Sequence, residues 1–227
     1  MSLKLEPQLI PFREHEPVRT YKGNHLPHLR QDGCSYFVKL RLADSVPQGA
    51  VNQWRQERTR WLGTRNIDPH QPDWQTKFVQ LPQEEQRVFE RAFASKLFNE
   101  LDMGRGKCQL REPPVREIVS GALEYFSGDR LLLGDYVIMP NHVHAIMTPA
   151  DGFELEDILR SIKGWSAKQI NQLLETTGEF WMKDSYDRLI RDEEELNRTR
   201  RYIAANPEKA SLAEQHFLYR QSELQVS

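Results

Sequence analysis

Residues 130–148, RLLLGDYVIMPNHVHAIMT, constrain the fold more than any other stretch of this chain. Two short apolar runs flank the turn signal Pro140-Asn141, and this arrangement predicts a β-hairpin. The second strand of the hairpin begins at His142. Because side chains alternate between the two faces of a strand, His142 and His144 point to one face and Val143 and Ala145 point to the other. The hairpin therefore brings two imidazoles together.

Two neutral imidazoles at this spacing can occupy two positions around a divalent metal ion, with carboxylate, amide, water or phosphate oxygens in the rest. The alternative is structural, since a His-X-His sequence on a half-exposed strand is also typical of a solvated face. The histidines alone leave both interpretations open.

Composition sets limits on the class of protein. Hydrophobic residues make up 38% of the 227-residue chain and charged residues 28%, and the mean hydropathy is -0.70. We therefore expect a polar-surfaced protein with no membrane-spanning segment. The N-terminus lacks the pattern of a secretory signal, and only two cysteines occur, so we expect a cytoplasmic protein.

The charge balance gives no support for broad, non-specific binding to duplex DNA, because the formal net charge is -2. Any contact with nucleic acid must then be local. Arginines cluster in two stretches, and solvated helix faces explain both equally well. The first cluster contains Arg55, Arg58, Arg60 and Arg65, and the second contains Arg188, Arg191, Arg198, Arg200 and Arg201.

The order of predicted elements indicates the fold class. The hydrophobic spacing predicts a strand at 35–43, helices at 83–101 and from 115, the hairpin, a helix at 154–174, a strand at 180–190 and a helix at 192–206 that Pro207 ends. Without a mostly helical insertion at about 45–102, this order is that of an α+β, ferredoxin-like split βαβ antiparallel sheet with an added C-terminal helix. We expect an N-terminal arm at 1–33, one domain at 34–212 and a C-terminal tail at 213–227.

The last predicted helix carries a second candidate pair. Tyr202 and Asn206 are four residues apart and so share a helix face. An amide oxygen is a hard ligand that suits Mg²⁺ or Mn²⁺, and a phenol beside a metal-bound phosphate is a competent nucleophile once deprotonated. The alternative is a core tyrosine and a polar helix end before Pro207.

Taken together, PNHVH after a strand and YIAANP in the last helix resemble the HUH single-tyrosine transposases, and specifically their REP-associated tyrosine transposase branch. The resemblance extends from about residue 26 to residue 212. It includes the segments PHLRQDGCSYFVKLRLADSVP, DMGRGKCQL, YVIMPNHVHAIMTP, SIKGWSAKQINQLL, FWMKDSYDRLIRD and RRYIAANPEKA.

This resemblance implies a set of roles. His142 and His144 are expected to bind a divalent metal, Mg²⁺ or Mn²⁺, with Asn206 as the third ligand and Tyr202 as the nucleophile. In the family the tyrosine attacks a phosphodiester of single-stranded DNA and leaves a 5′-phosphotyrosine link and a free 3′-hydroxyl. Asn206 is a departure, because related transposases often have glutamine there and asparagine is one methylene shorter.

The resemblance also indicates partners and a second set of residues. Lys163, Trp165 and Lys168 match a stretch that in relatives lies near the active site and DNA, although they also fit one solvated helix face. The expected partner is single-stranded or hairpin DNA, bound by a monomer or a homodimer that is not attached to a membrane.

Two other functions remain open at this point. The first is a domesticated module that binds hairpin DNA or RNA without turnover, although such a module needs neither the histidines nor Tyr202. The second is a zinc site built from His142, His144 and either Cys34 or Cys108, but no CxxC or HExxH pattern supports it.

Overall fold

A computed structural model describes residues 8–9, 12–13, 19–22, 27–223 and 225–226. The strands in these residues are β1 (Gln8–Leu9), β2 (Arg19–Lys22), β3 (Pro27–Arg30), β4 (Tyr36–Arg41), β5 (Leu131–Ile138), β6 (His142–Pro149), β7 (Tyr186–Leu189), β8 (Leu218–Arg220) and β9 (Gln225–Val226). The α-helices are α1 (Gln48–Gly63), α2 (Trp74–Val79), α3 (Gln83–Asp102), α4 (Pro113–Glu124), α5 (Leu155–Leu173) and α6 (Glu193–Lys209).

A five-stranded sheet in the order β7-β4-β6-β5-β8 organises the fold, and every neighbouring pair in it is antiparallel. Helix α4 joins β4 to β5 through the insertion, β5 and β6 form the predicted hairpin, and α5 joins β6 to β7. The predicted α+β class and antiparallel sheet are confirmed. The fifth strand, β8, comes from the segment that the sequence suggests is a tail.

One face of the sheet packs against α4 and α5. Both helices have apolar residues at helical spacing, and these bury against alternate residues of the strands, including Val38, Leu40, Val143 and Ala145. This layer contains the larger apolar core of the protein.

The opposite face of the sheet packs against α6. Leu196 and Ile203 of this helix contact Phe37, Val137 and Ile146 of the strands. All residues of β5 and β6 are consequently buried. A strand buried on both faces lacks clean alternation of polar and apolar residues, and this explains why Phe37 disturbs the pattern of β4.

Helices α1, α2 and α3 fill the predicted insertion and form an apolar cluster of their own. The cluster contains Leu62, Ile67, Trp74, Phe78 and Phe89. The C-terminal part of α3 also reaches the sheet, because Phe98 packs against the core under α6.

The predicted end of the last helix at Asn206 is wrong, since α6 continues through Pro207 to Lys209. A proline in the last turn removes only one intrahelical hydrogen bond, because the N–H that it lacks is the one that would bond four residues back. Beyond it the carbonyl of Asn206 accepts from the backbone N–H of Ala210 at 3.1 Å. The predicted start is supported, because Asp192 caps the helix by accepting from the backbone N–H of Glu195 at 2.6 Å.

The strand predicted at 180–190 is shorter, with Tyr186–Leu189 paired to β4 and Trp181 joined to Leu42 by an isolated bridge. The predicted arm at 1–33 lies partly outside the described residues. Within it, β2 and β3 pair with each other, and the buried Arg30 forms ion pairs with Glu156 and Asp187.

None of the helices in the described part of the chain is long and apolar enough to cross a membrane.

Candidate active site

His142 and His144 lie on the face of β6 that packs under α6, as strand alternation predicts. Both side chains are buried, and their Nε2 atoms lie 2.9 Å apart. The ring of His144 stacks on Phe37, with ring centroids 5.4 Å apart. The neighbouring residues Val143 and Ala145 point into the core on the other face. Two imidazole nitrogens therefore converge on one point between the sheet and α6.

Asn141 orients the first histidine. The amide nitrogen of Asn141 donates to the carbonyls of Leu101 at 3.3 Å and Arg105 at 3.1 Å, so its Oδ1 faces His142. His142 Nδ1 lies 2.7 Å from this Oδ1 and must donate to it. The Nε2 atom of His142 is then unprotonated and can accept a hydrogen bond from His144 or bind an ion. Sequence reasoning identified Asn141 only as a turn residue.

The electrostatic surroundings keep both imidazoles neutral. Burial lowers the pKa of His142 well below its usual value, and nearby Lys39 lowers it further. Burial, Lys39 and then His142 lower the pKa of His144 in the same way. Neutral imidazole is the form that ligates metal ions.

Lys39 is a second residue that sequence reasoning missed. It pairs with His144 across β4 and β6 and is buried, with its Nζ 3.5 Å from the centroid of the Phe98 ring. Burial lowers the pKa of Lys39 well below its usual value, against the opposing effect of Asp102. Its Nζ has no hydrogen-bond partner among the described residues. Burying an amine without a hydrogen-bond partner costs free energy of folding. We therefore count Lys39, which lies beside His144, among the residues of the candidate site.

Tyr202 lies over the second histidine. Its ring centroid is 5.2 Å from that of His144 and 5.9 Å from that of Phe37. Burial and then Asp102 raise the pKa of Tyr202, whereas the amide of Asn206 lowers it. The phenol is therefore protonated at neutral pH in the absence of a bound cation.

Asn206 lies one turn after Tyr202 on α6 and is 2% exposed. Its Oδ1 and the hydroxyl of Tyr202 both lack a partner of ordinary hydrogen-bond geometry within the described residues. A buried amide oxygen without a partner is costly, and a cation is one group that would satisfy it.

These donors fit a divalent metal ion. Mg²⁺ holds its ligands at about 2.0–2.1 Å in an octahedron, so neighbouring ligand atoms lie roughly 3 Å apart. The two Nε2 atoms lie 2.9 Å apart, a separation that an ordinary hydrogen bond between them gives equally well. No group of three or more His, Cys, Asp and Glu residues in a metal-binding arrangement occurs in the described ranges. Any ion at this point consequently needs oxygen ligands such as Asn206 or water.

The cysteines are engaged elsewhere. Cys34 belongs to the core on the opposite face of the sheet, and its thiol donates to Gln31 Oε1 at 2.9 Å. Burial raises the pKa of the Cys108 thiol, which donates to the carbonyl of Gly104 at 3.0 Å. The described residues thus give no support for a zinc site that includes a cysteine.

The structure does not bring Lys163, Trp165 and Lys168 together with the histidines. All three are on α5, which packs on the opposite face of the sheet. The ammonium of Lys163 donates to the backbone carbonyl of Lys183 at 2.6 Å. Trp165 and Lys168 are exposed. A role for these residues in DNA binding stays a prediction.

Comparisons with known proteins give one family match. Residues 112–206 match the model of the family described as "Transposase IS200 like". The matched segment contains both histidines, Tyr202 and, as its last residue, Asn206. A search of curated proteins gives no match.

Among solved structures, one match is described as "Structure of the REP associates tyrosine transposase bound to a REP hairpin". The sequence identity is 14% and the TM-score 0.42, and the alignment covers 81% of this chain and 72% of that one. A likeness at this level supports no conclusion about this chain.

Proposed function

We propose, from the match of residues 112–206 to the IS200-like transposases, that this chain is an enzyme of that family, which cuts and rejoins single-stranded DNA with Tyr202 as nucleophile. The IS200-like transposases are a family of enzymes. The β-α-β-β-α-β order of the sheet, which we interpret as ferredoxin-like, supports the assignment.

One observation carries the proposal: the phenol of Tyr202 lies over a buried pair of neutral imidazoles. The ring centroids of Tyr202 and His144 are 5.2 Å apart, and the two histidine Nε2 atoms are 2.9 Å apart. A phosphodiester that is held at the histidines would therefore lie within reach of the phenol.

The reaction is a transesterification. The Oη of Tyr202 attacks the phosphorus, so a bond between the tyrosine oxygen and the 5′-phosphate forms while the bond to the 3′-oxygen breaks. The phenol loses its proton and the departing 3′-oxygen gains one. Because one phosphodiester replaces another, a 3′-hydroxyl can later reverse the step without an external energy source.

Our proposal assigns the divalent metal ion, Mg²⁺ or Mn²⁺, to His142, His144 and Asn206. When bound, the ion supplies Lewis-acid stabilisation of the negative charge that develops on the phosphate. Asn141 holds His142 in the tautomer that leaves Nε2 free for this role. Burial raises the pKa of Tyr202, and the amide of Asn206 offsets only part of this rise.

The proposed substrate is a single strand, including strands folded into hairpins at repeats, as the sequence resemblance implies. A closed duplex does not present an accessible phosphodiester with flanking unpaired bases. The proposal concerns the kind of strand that is cut and does not specify a base sequence.

End-labelled strands test this function. The purified protein is incubated with single strands that carry genomic repeat hairpins, labelled at either end, with Mg²⁺, Mn²⁺ or EDTA. We expect a free 3′-hydroxyl product, retention of the 5′-phosphate end on protein, and joining to a second strand only when a divalent ion is present. Tight binding of intact strands without cleavage under every condition would instead show a binding module.

A further inference from the structure

A cavity of about 470 Å³ lies between the insertion helix α3 and the first turns of α6, beside the candidate active site. Its volume falls in the range of about 300–1,000 Å³ that is typical of ligand pockets. It is formed by α3, by Phe37 of β4, and by the continuous segment that runs from β7 into α6. The lining residues are Phe37, Arg87, Arg91, Ser95, Phe98, Tyr186, Arg188, Arg191, Asp192, Glu195 and Arg198.

The cavity is strongly cationic. Five arginines and two carboxylates line it. The carboxylate of Glu195 is already engaged, because it pairs with Arg188 and accepts from the backbone N–H of Arg191. Asp192 caps α6. Five arginines against two carboxylates leave a formal excess of three positive charges on the lining.

Arg87, Arg91 and Arg191 form no ion pair with any residue that the structure describes. Arg87 and Arg91 are exposed, and they are one helical turn apart on α3. Guanidinium groups bind phosphate oxygens in a planar, two-point geometry. This wall of the cavity consequently presents free cations to an anionic chain.

The inner wall of the cavity is aromatic and continuous with the active site. Phe37 stacks on His144, and Phe98 lies 6.2 Å from Tyr202 between ring centroids. The ring of Tyr186 lies 5.4 Å from that of Phe98. Arginines at the rim and aromatic rings at the base are the combination with which proteins bind unpaired nucleotides.

We propose that this arginine-lined cavity binds the single strand immediately beside the phosphate that Tyr202 attacks. Arg87 and Arg91 contact backbone phosphates, and a base lies against the aromatic wall. The proposal rests on the proposed function. It also gives the insertion a role in binding, because α3 supplies four of the eleven residues that line the cavity.

The structure also separates the two arginine clusters of the sequence. In the first cluster, Arg65 lies over the Trp61 ring at 3.5 Å and pairs with Glu85, so it serves the insertion itself. In the second cluster, Arg188, Arg191 and Arg198 line the cavity. Sequence alone could not distinguish them, because their difference lies in what packs against them.

The test measures binding of a fluorescent poly-dT strand in the Tyr202→Phe background, where no covalent link forms. The double variant Arg87→Gln/Arg91→Gln is compared with Arg55→Gln/Arg60→Gln, which removes two exposed charges from α1 of the same insertion outside the cavity. We expect a loss of affinity of about tenfold for the first and little change for the second. The dependence of log K on log salt should decrease in slope by about 1.4, since each phosphate contact on a single strand contributes about 0.7.

Equal affinity and equal salt dependence of the two double variants would overturn the proposal. Arg87→Lys/Arg91→Lys keeps the charges and should recover most of the salt dependence, and thermal unfolding establishes that each variant is folded. The outcome is independent of the proposed reaction. If the wild-type protein forms no covalent product but Arg87→Gln/Arg91→Gln still weakens binding, the assignment of the cavity stands and the proposed reaction is wrong. If cleavage occurs and the two double variants bind equally, the proposed reaction stands and the assignment of the cavity is wrong.

Discussion

At the scale of single residues, Asn141 determines the tautomer and the ring orientation of His142. Its amide nitrogen is held by the carbonyls of Leu101 and Arg105, and its oxygen accepts from His142 Nδ1. Asn141→Ala removes the acceptor, and loss of such an outer partner typically lowers metal affinity by about 10–100-fold.

Isothermal titration with Mn²⁺ measures this effect. Asn141→Asp keeps an oxygen for His142 and should lose less affinity than Asn141→Ala. If Asn141→Ala binds Mn²⁺ as tightly as the wild-type protein, the hydrogen bond does not prepare a metal ligand.

The buried histidine pair predicts the response of the metal-free protein to acid. Burial lowers the pKa of His142 and His144 in the folded state, so below about pH 6.5 the unfolded chain binds two protons that the folded chain excludes. The free energy of unfolding should therefore decrease as pH falls, by up to about 1.4 kcal/mol per pH unit for each histidine.

Urea unfolding in EDTA from about pH 7 to about pH 5.5 tests this dependence before most carboxylates titrate. The slope should be shallower in His142→Gln/His144→Gln than in the wild-type protein, although buried Lys39, whose pKa is also lowered, keeps part of it in both proteins. The exposed His70→Gln should keep the wild-type slope. An unchanged slope in His142→Gln/His144→Gln would assign the acid sensitivity to other groups.

The positions of the candidate residues differ in how far sequence could predict them. The shared face of His142 and His144 follows from strand alternation, and that of Tyr202 and Asn206 follows from the helical repeat. Asn141 and Lys39 could not be recognised in this way. The partners of Asn141 are carbonyls about 40 residues earlier, and Lys39 is buried only because α3 covers its strand with Phe98.

At the scale of elements, α6 brings Tyr202 and Asn206 to one point, and we propose different roles for them. Asn206→Ala should weaken Mn²⁺ binding but leave the histidines and water as ligands, so formation of the covalent DNA adduct should recover in excess Mn²⁺. Tyr202→Phe should form no adduct at any metal concentration, because the attacking oxygen is missing.

A titration of adduct against Mn²⁺ for both variants distinguishes these roles. Full activity of Asn206→Ala at low Mn²⁺ would make Asn206 a structural residue of α6, and the third ligand would have to be sought elsewhere. Arg160→Ala, on the exposed surface of α5, is a control that should follow the wild-type curve.

Helices and strands were predictable from the sequence where the spacing of nearby apolar residues or a turn sequence determines them. The helices at 83–102 and 155–173 follow their apolar spacing, and the hairpin follows its turn. The end of α6 was not predictable, because its last turn is held by the backbone N–H of Ala210, which donates to Asn206, and that of Leu212, which donates to the carbonyl of Pro207. Strand β8 has only three residues and gains its stability from pairing with β5, which no local pattern reveals.

At the scale of the whole molecule, the sheet separates two packed layers. Helices α4 and α5 cover the larger core, and α6 with the end of α3 covers the histidines. The order of elements in the sequence was enough to predict the antiparallel sheet. The meeting of the insertion with α6 was not predictable, because it depends on contacts such as that between Phe98 and Tyr202.

The central claim is that Tyr202 forms a covalent bond with DNA beside the histidine pair, and peptide mapping of the adduct tests it most directly. Wild-type protein and Tyr202→Phe are incubated with a labelled repeat strand and Mn²⁺, digested with trypsin and analysed by mass spectrometry. Trypsin cuts after Arg201 and after Lys183, so the peptides 202–209 and 184–188 separate Tyr202 from Tyr186, the other tyrosine of the aromatic cluster. The predicted result is a nucleotide on peptide 202–209 of the wild-type protein and no adduct in Tyr202→Phe. An adduct on peptide 184–188, or one that persists in Tyr202→Phe, would contradict the claim.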